Sequence, residues 1–360
     1  MADFINQMEP TYGEEEKKEV MDYLNSGGWI MEFKKTKEFE KLICEYTGAK
    51  YCSVVPNGTI SLFIALAALG VGRGDEVFVP NFTMIASPNA VRLCGAEPVL
   101  VDIEKTSLCL DIEEVKKKIT SKTKVIMHVS INGRAGDLDK LDDLCREKNI
   151  FLIEDAAQAF GSFYKGKHLG NYGVVGSFSF SSPKIITTGQ GGALITNDEE
   201  VYKKICKIKD FGRVSGGVDI HDDWGWNFKF TDLQAAFGVA QIKKMPERTK
   251  RKKEIYGLYK ELLSPVSAVN FIDTNLDEVS PWFIDILVDD PIKLRDFLKG
   301  EGIGSRVFYP PISDQVIYKT NENFPNTKDI AYRGLWLPSS VKLIDDQVKF
   351  VCKKIIKFYR

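Results

Sequence analysis

The chain has 360 residues, of which 44% are hydrophobic and 28% charged, and its 49 basic residues nearly balance its 50 acidic ones. This composition is typical of a soluble globular protein, and the length predicts one large domain with a smaller one. The net charge of −1 gives no sign of a nucleic-acid or anionic-membrane partner. Because no apolar run approaches the ~20 residues that cross a bilayer and no leader peptide is evident, we expect a cytoplasmic protein.

The seven cysteines and three histidines are widely scattered along the chain. No Cys-x-x-Cys pair occurs, and the histidines do not cluster with other ligating residue types. We therefore expect reduced, mostly buried thiols and no bound metal.

Short apolar runs alternate with segments of helical period, which is typical of a parallel sheet covered by helices. The predicted strands are Glu76–Pro80, Pro98–Asp102, Lys124–Ser130, Phe151–Asp155 and Ser177–Phe180. The predicted helices are Ile60–Leu69, Ile85–Leu93, Asp111–Ile119, Leu138–Lys148 and Glu199–Phe211. The pattern indicates an α/β fold, in which ligands bind beyond the carboxyl ends of the strands.

The character of the sequence changes after about residue 240. A long charged helix is predicted over Gln241–Leu263, where it connects two lobes. A smaller α+β unit follows, with predicted elements at Trp282–Val288, Pro291–Gly300 and Asp345–Tyr359. We therefore predict a large domain over residues 1–240, and a connecting helix with a small C-terminal domain over residues 241–360.

The segment from Ile153 to Asp198 carries the most specific chemical pattern. An apolar strand ends in Glu154–Asp155–Ala156–Ala157–Gln158, and Lys184 and a glycine-rich turn follow a second strand. Pyridoxal phosphate enzymes need a lysine amine, a carboxylate for the pyridine nitrogen, a phosphate cradle and a group that covers the ring. Asp155 suits the ring nitrogen, and Lys184 suits the Schiff base and the later proton transfer, provided that desolvation lowers its pKa.

The phosphate cradle is predicted at Asn57–Ser61, just before an apolar helix. Gly58 permits close backbone approach, Thr59 and Ser179 supply hydroxyls, and the helix amino terminus presents unpaired amides. Taken alone, each feature is typical of helix capping, turns or solvated surface. Their joint order along one α/β chain favours the cofactor site.

These motifs, together with Gly74–Val77 and Gly225–Phe228, resemble those of the StrS/DegT-type sugar aminotransferases, which are fold-type I pyridoxal phosphate enzymes of bacterial sugar pathways. The resemblance extends from Gly27–Trp29 to Phe308–Pro310. It implies a large, mostly parallel mixed sheet flanked by helices, which binds the cofactor, and a smaller C-terminal α+β domain. It also implies these cofactor contacts: the phosphate for Gly58, Thr59 and Ser179, the ring nitrogen for Asp155, the ring hydroxyl for Gln158, the catalytic amine for Lys184, and the phosphate in the neighbouring subunit for Asn227. The last contact implies a homodimer with shared active sites.

The sequence departs from the family pattern at several positions. Met84 stands where many relatives have an aromatic residue that stacks on the cofactor; its thioether can cover the ring, and filling the core is an equal alternative. Asn132 and Arg134, in an altered stretch, are candidate contacts for the sugar or diphosphate, although Arg134 is equally suited to a salt bridge. Trp29 and Tyr309 are further candidate substrate contacts by resemblance.

The resemblance implies transfer of an amino group from L-glutamate to a nucleotide-linked 4-keto-6-deoxysugar, at carbon 4, for surface glycan biosynthesis. Amination at carbon 3 or on an eight-carbon acidic sugar is the nearest alternative. A sugar dehydratase is a third possibility, but relatives with that activity replace the Schiff-base lysine by histidine. A regulatory homologue without catalysis is a fourth, against which the intact set of Asp155, Gln158, Ser179 and Lys184 argues.

Overall fold

The computed structural model describes residues 4–360. The α-helices within these residues are α1 (Glu14–Asn25), α2 (Lys34–Thr47), α3 (Gly58–Ala68), α4 (Ala86–Leu93), α5 (Ile112–Lys118), α6 (Leu138–Lys148), α7 (Glu199–Lys209), α8 (Asp232–Lys243), α9 (Met245–Leu263), α10 (Pro291–Gly300), α11 (Pro325–Arg333) and α12 (Asp345–Phe358). The strands are β1 (Tyr51–Val55), β2 (Glu76–Pro80), β3 (Glu97–Val101), β4 (Thr123–Val129), β5 (Phe151–Asp155), β6 (Phe163–Tyr164), β7 (Lys167–His168), β8 (Val175–Ser179), β9 (Gly192–Thr196), β10 (Asn270–Phe271), β11 (Ile284–Leu287), β12 (Arg306–Val307) and β13 (Gly334–Leu337).

The large sheet has seven strands in the order β1-β9-β8-β5-β4-β2-β3. Neighbouring strands from β8 to β3 are parallel, whereas β9 runs antiparallel to both β8 and β1. Strands β2, β4 and β5 are largely apolar along consecutive residues, which is typical of parallel strands with helices on both faces. The structure thus confirms the predicted α/β class with a mostly parallel mixed sheet.

Helix α3 lies at the centre of this packing. It contacts β8, β9, α4 and α7, and most of its side chains are buried. A helix that is apolar around its whole circumference is typical of such a position. The packing fixes the amino end of α3 against the ends of the strands.

A second sheet, in the order β10-β11-β13-β12, is antiparallel and has four strands. Helices α9, α10 and α12 share its apolar core. The amino-terminal segment also reaches this region, where Ile5 forms a bridge with Ile303. No helix within residues 4–360 combines the length and the apolar character that a membrane crossing requires.

The predicted single helix over Gln241–Leu263 is wrong, because the chain forms two helices that meet at Lys244. Pro246 lies in the first turn of α9, where its missing amide hydrogen and fixed backbone angle are tolerated. Helix α8 runs through residue 240, so the predicted division at 240/241 falls inside a helix. The division into two domains itself stays a prediction.

Candidate active site

The carboxyl ends of β5 and β8 meet the amino end of α3 at one edge of the large sheet. Asp155 ends β5, and Ser179 ends β8, its parallel neighbour. Gly58 begins α3, and a Cβ placed on it would lie 2.9 Å from the Cβ of Ser179. The helix therefore touches the strand end at the place where open α/β sheets bind ligands.

The start of α3 forms a cradle that suits a phosphate. Asn57 caps the helix by accepting an amide hydrogen of its first turn at 2.9 Å, whereas the amides of Gly58 and Thr59 have no intrahelical acceptor. A Cβ at Gly192 would lie 2.6 Å from the carbonyl carbon of Asn57, so glycine is required for this close approach. The amides and helix dipole attract an anion, and the half-buried hydroxyl of Ser179 lies beside them.

Asp155 is a buried carboxylate with two internal donors. The Ser87 hydroxyl donates to its Oδ2 at 2.7 Å, and the Ala157 amide donates to its Oδ1 at 3.2 Å. Burial raises the pKa of Asp155, which both donors and the charge of Lys184 counteract. A cationic group stabilises such a carboxylate, and a protonated pyridine nitrogen is one.

Lys184 lies in the turn that follows β8. Its Nζ is 4.1 Å from the centroid of the Trp282 ring. Burial lowers the pKa of Lys184 to about 8, and the charge of Asp155 acts in the opposite direction. A substantial fraction of the amine is therefore neutral near physiological pH, as a nucleophile and proton carrier requires.

Gln158 lines one small hollow together with Ser179, Lys184 and Trp282. Its Oε1 accepts the backbone amide hydrogen of Asn132 at 2.8 Å. That bond orients the side-chain amide and leaves its NH₂ group to donate to a ligand, such as a ring hydroxyl. The fold thus brings together the predicted cofactor contacts Gly58, Asp155, Gln158, Ser179 and Lys184. Their individual roles towards the cofactor stay predictions.

Met84 and Tyr309 are two further predicted contacts near Asp155: Met84 stands three residues before Ser87, the donor to Asp155, and Tyr309 is influenced by the Asp155 charge. Met84 is 46% exposed and two residues before the start of α4, which contradicts the alternative that it fills the core. The Tyr309 ring packs against Trp336, with 4.8 Å between centroids. Burial raises the pKa of Tyr309 to about 12, and the charge of Asp155 acts in the same direction. Met84 remains a candidate to cover the ring, and Tyr309 a candidate substrate contact.

Asn132 and Arg134 are occupied by internal partners. The buried guanidinium of Arg134 donates to both carboxylate oxygens of Asp285, at 2.7 and 2.9 Å. The Asn132 side chain donates to Asp285 at 2.8 Å and to the Phe283 carbonyl at 2.7 Å. Breaking a buried pair leaves an uncompensated charge at a cost of several kcal/mol. Both side chains therefore have internal partners, and the Asn132 amide also donates to Gln158. Their predicted contact with the substrate stays a prediction.

Trp29 and Asn227 lie on an exposed surface, and neither lines the hollow around Lys184. The segments that carry them are in contact, because the Ile30 carbonyl accepts the Asp232 amide hydrogen at 3.1 Å. We use the name apolar patch for the exposed large apolar side chains of these two segments: Trp29, Ile30, Met31, Phe33, Trp224 and Trp226. Exposed apolar side chains in such numbers favour an interaction surface.

Two residues of the site were not predicted from the sequence. Ser87, the donor to Asp155, lies three residues after Met84, and nothing in the local sequence indicates this contact. Trp282 begins the predicted element Trp282–Val288, and nothing in its sequence neighbourhood indicates that its ring lies against Lys184. Residues of this kind become visible only when the chain is folded.

A buried carboxylate, a lysine and a helix amino terminus meet at the carboxyl edge of a mostly parallel mixed sheet, and together they offer the ring-nitrogen partner, the amine and the phosphate cradle that a pyridoxal phosphate enzyme of fold-type I needs. The chain belongs to the DegT/DnrJ/EryC1/StrS aminotransferase family, whose model matches residues 10–356. It is therefore a pyridoxal phosphate-dependent sugar aminotransferase, as the resemblance implied.

The similarity to individual members spans nearly the whole chain. A GDP-perosamine synthase of Vibrio cholerae is 37% identical over 359 residues, with 98% of each chain covered. The aminotransferase TlmJ from Streptoalloteichus hindustanus matches with a TM-score of 0.93 and 29% identity, covering 98% of this chain and 97% of that one. The PLP form of the putative sugar aminotransferase Spr1654 from Streptococcus pneumoniae matches with a TM-score of 0.91 and 28% identity, covering 97% of each.

Proposed function

We propose that this enzyme transfers the amino group of L-glutamate to carbon 4 of a GDP-linked 4-keto-6-deoxyhexose, for surface glycan biosynthesis. The observation that carries the substrate assignment is the 37% identity, over nearly the full length, to the Vibrio cholerae relative named GDP-perosamine synthase. That name specifies a GDP-linked amino sugar as the product. The seven free thiols support the proposed cytoplasmic location.

In this proposal each residue of the site has a defined task. Bound pyridoxal phosphate supplies an electron-withdrawing ring that stabilises negative charge at the amino-bearing carbon. Lys184 would accept the proton from that carbon and return it to the carbon of the cofactor that takes up the amino group. Asp155 keeps a proton on the ring nitrogen, and the amino end of α3, with Ser179, anchors the phosphate. The amine of glutamate enters in one half-reaction and reaches the sugar in the other.

Amination at carbon 3, or on an eight-carbon acidic keto sugar, is the same chemistry with a different acceptor. The Vibrio cholerae similarity favours the GDP-linked 4-keto substrate over both. A dehydratase is disfavoured because this chain has Lys184 at the position where relatives with that activity have histidine. A regulatory role is disfavoured because the buried Asp155 has been kept at a cost in stability that a cofactor-free protein would avoid.

The donor and acceptor are tested separately. The purified enzyme is expected to be yellow, and its visible absorbance should fall on addition of L-glutamate and return on addition of the keto sugar. A panel of GDP-, UDP- and dTDP-linked keto sugars is then offered after glutamate, and the product is identified by mass spectrometry and NMR. Amination of the GDP-linked 4-keto sugar supports the proposal, whereas turnover with another member alone would replace the substrate. A spectrum unchanged by glutamate would remove the proposed donor.

We further propose that a second copy of the chain covers the apolar patch. Asn227 is exposed at this surface and does not line the hollow of its own subunit. In a homodimer with shared sites, Asn227 donates to the phosphate bound by the other subunit. The patch buries apolar area at the same time, which stabilises the dimer.

The shared-site proposal predicts complementation between two inactive variants. Lys184→Ala lacks the amine, and Asn227→Asp places a negative charge beside the phosphate. Mixed dimers contain one site with both residues intact, so randomly reassembled mixtures should recover roughly a quarter of wild-type activity. A mixture of Lys184→Ala with Asp155→Asn is the control, because both residues come from the same subunit and no site is restored. Equal activity in the two mixtures would contradict the shared site.

A further inference from the structure

The turn that carries Lys184 is irregular. It lies between Ser179, the last residue of β8, and Gly192, the first of β9, and has no regular secondary structure. Loops of this kind are ordinarily mobile. Proton transfer, however, needs its amine within a narrow distance and angle of the reacting carbon, and small displacements cost large factors in rate. Something outside the turn must therefore hold it.

The two peptide carbonyls that flank Lys184 are both bound from elsewhere in the chain. The indole N–H of Trp282 donates to the Pro183 carbonyl at 2.7 Å. The Nη1 of Arg248, on α9, donates to the Ile185 carbonyl at 2.7 Å. The lysine is thus fastened immediately before and immediately after its own residue.

The Arg248 donor is itself fixed. It is 4% exposed, and it also donates to the side-chain oxygen of Gln241 and to the Thr11 carbonyl, each at 2.7 Å. The same Gln241 oxygen accepts the Thr187 amide hydrogen at 3.1 Å. Arg248 and Gln241 therefore hold the far side of the turn as one unit.

Trp282 is fixed in a comparable way. Its carbonyl accepts a hydrogen bond from the buried side-chain amine of Lys252 at 2.6 Å, and Lys252 also donates to the Ser339 carbonyl. Its ring stacks on Phe283 with 3.7 Å between centroids. The same ring also contacts the Lys184 amine, whose nitrogen lies 4.1 Å from the ring centroid. A cation over an aromatic face is stabilised by the ring quadrupole.

We propose that Trp282 and Arg248 are positioning residues for Lys184, and that they clamp the carbonyls on either side of it so that its amine stays at the reaction centre. The inference rests on the proposed role of Lys184 as the catalytic amine. The indole face also gives the amine a resting place while it is not bound to the cofactor. Because α9 supplies Arg248 and Lys252, this helix helps to position Lys184 and also packs against the second sheet.

The clamp is tested with Arg248→Met, which removes the donors and keeps the aliphatic stem, and with Trp282→Phe, which keeps a ring and removes the N–H. Arg251→Met is the matched control: Arg251 lies on the same helix, but its guanidinium bonds to the Leu343 carbonyl and to Asp345. For each holoenzyme, hydrogen–deuterium exchange of the peptide spanning residues 183–188 is measured together with cofactor content, kcat, the KM for glutamate and the thermal unfolding temperature.

We expect exchange in this peptide to rise about tenfold in both clamp variants, and kcat to fall about 10- to 100-fold, with the glutamate KM and cofactor content within about twofold of wild type. The control should keep wild-type exchange and kcat. Wild-type exchange and kcat in both clamp variants would overturn the clamp, as would an equal loss in Arg251→Met. A Lys184→Ala protein that still turned over would instead remove the proposed role of Lys184 as the catalytic amine, on which the clamp rests, so the two failures are distinguishable.

Discussion

Replacing Lys184 by alanine is expected to abolish amino transfer, by about 10³-fold or more, because the variant loses both the covalent attachment and the proton carrier. Lys184 is the lysine that lines the hollow with Gln158 and Ser179, and it has a pKa of about 8. Cofactor can still be held through the phosphate cradle. The measurements are single-turnover kinetics with glutamate and the visible spectrum, which should lack the band of the lysine-bound form.

A small primary amine added to Lys184→Ala is expected to restore part of the proton transfer, which separates loss of the amine from loss of the fold. Substantial turnover without added amine would mean that another lysine is catalytic. Lys184→Met gives a second check, on cofactor-free protein. Since burial lowers the Lys184 pKa from 10.5 to about 8, the charged amine costs stability below about pH 8, and the cost disappears as the pH rises towards 10.5. The methionine variant should therefore melt higher than wild type at pH 7 but not near pH 10.5.

Much of the fold was predictable because the signals are local. Strands β2 and β5 and helices α6 and α10 begin and end at the predicted residues, since their hydrophobic periods are bounded by turn or capping residues. The break between α8 and α9 was not predicted. Charged and apolar residues continue through Lys244 in helical spacing, and Pro246 is compatible with a new helix as well as disruptive to an old one.

The residues of the site also divide into those that the local sequence predicts and those that it does not. Gly58, Asp155 and Ser179 stand at element ends, where the sequence indicates both the turn and its chemistry, and the fold brings them together. Arg134 was ambiguous because a guanidinium in a loop suits a ligand phosphate or an internal carboxylate. Its partner, Asp285, lies 151 residues away, so the choice depends on tertiary structure that no local pattern reports.

The clamp on Lys184 was invisible for a further reason. Its acceptors are backbone carbonyls, which every residue possesses and which leave no trace in the sequence. Its donors, Trp282 and Arg248, have ordinary alternative roles as a core aromatic and a helix-surface cation. The motif around the lysine therefore identifies the reaction, whereas residues far along the chain place the reacting atom.

Replacing Asp155 by asparagine is expected to lower the rate of proton transfer by about 10²- to 10³-fold, because an amide lacks the negative charge that keeps the ring nitrogen protonated. The change is nearly isosteric, and the Ser87 hydroxyl, 2.7 Å from Oδ2, can donate to the new carbonyl oxygen. Pre-steady-state reaction with glutamate measures the effect, and an α-deuterated donor reveals whether proton abstraction has become rate-limiting. Near-normal rates would remove Asp155 from the ring-nitrogen role.

Stability distinguishes this loss of chemistry from a loss of fold. Burial raises the pKa of Asp155 above its ordinary value of 3.8, so the ionised carboxylate costs stability above that pH, and the cost is absent at pH values below it. In cofactor-free protein, Asp155→Asn should therefore melt no lower than wild type at pH 7. In the holoenzyme the order should reverse, because only the carboxylate gains a cationic partner from the bound ring.

Ser87→Ala is the matched control: it removes one donor but retains the charge, so its rate should fall far less. A holoenzyme in which Asp155→Asn remained the more stable protein would mean that the carboxylate does not face the ring nitrogen.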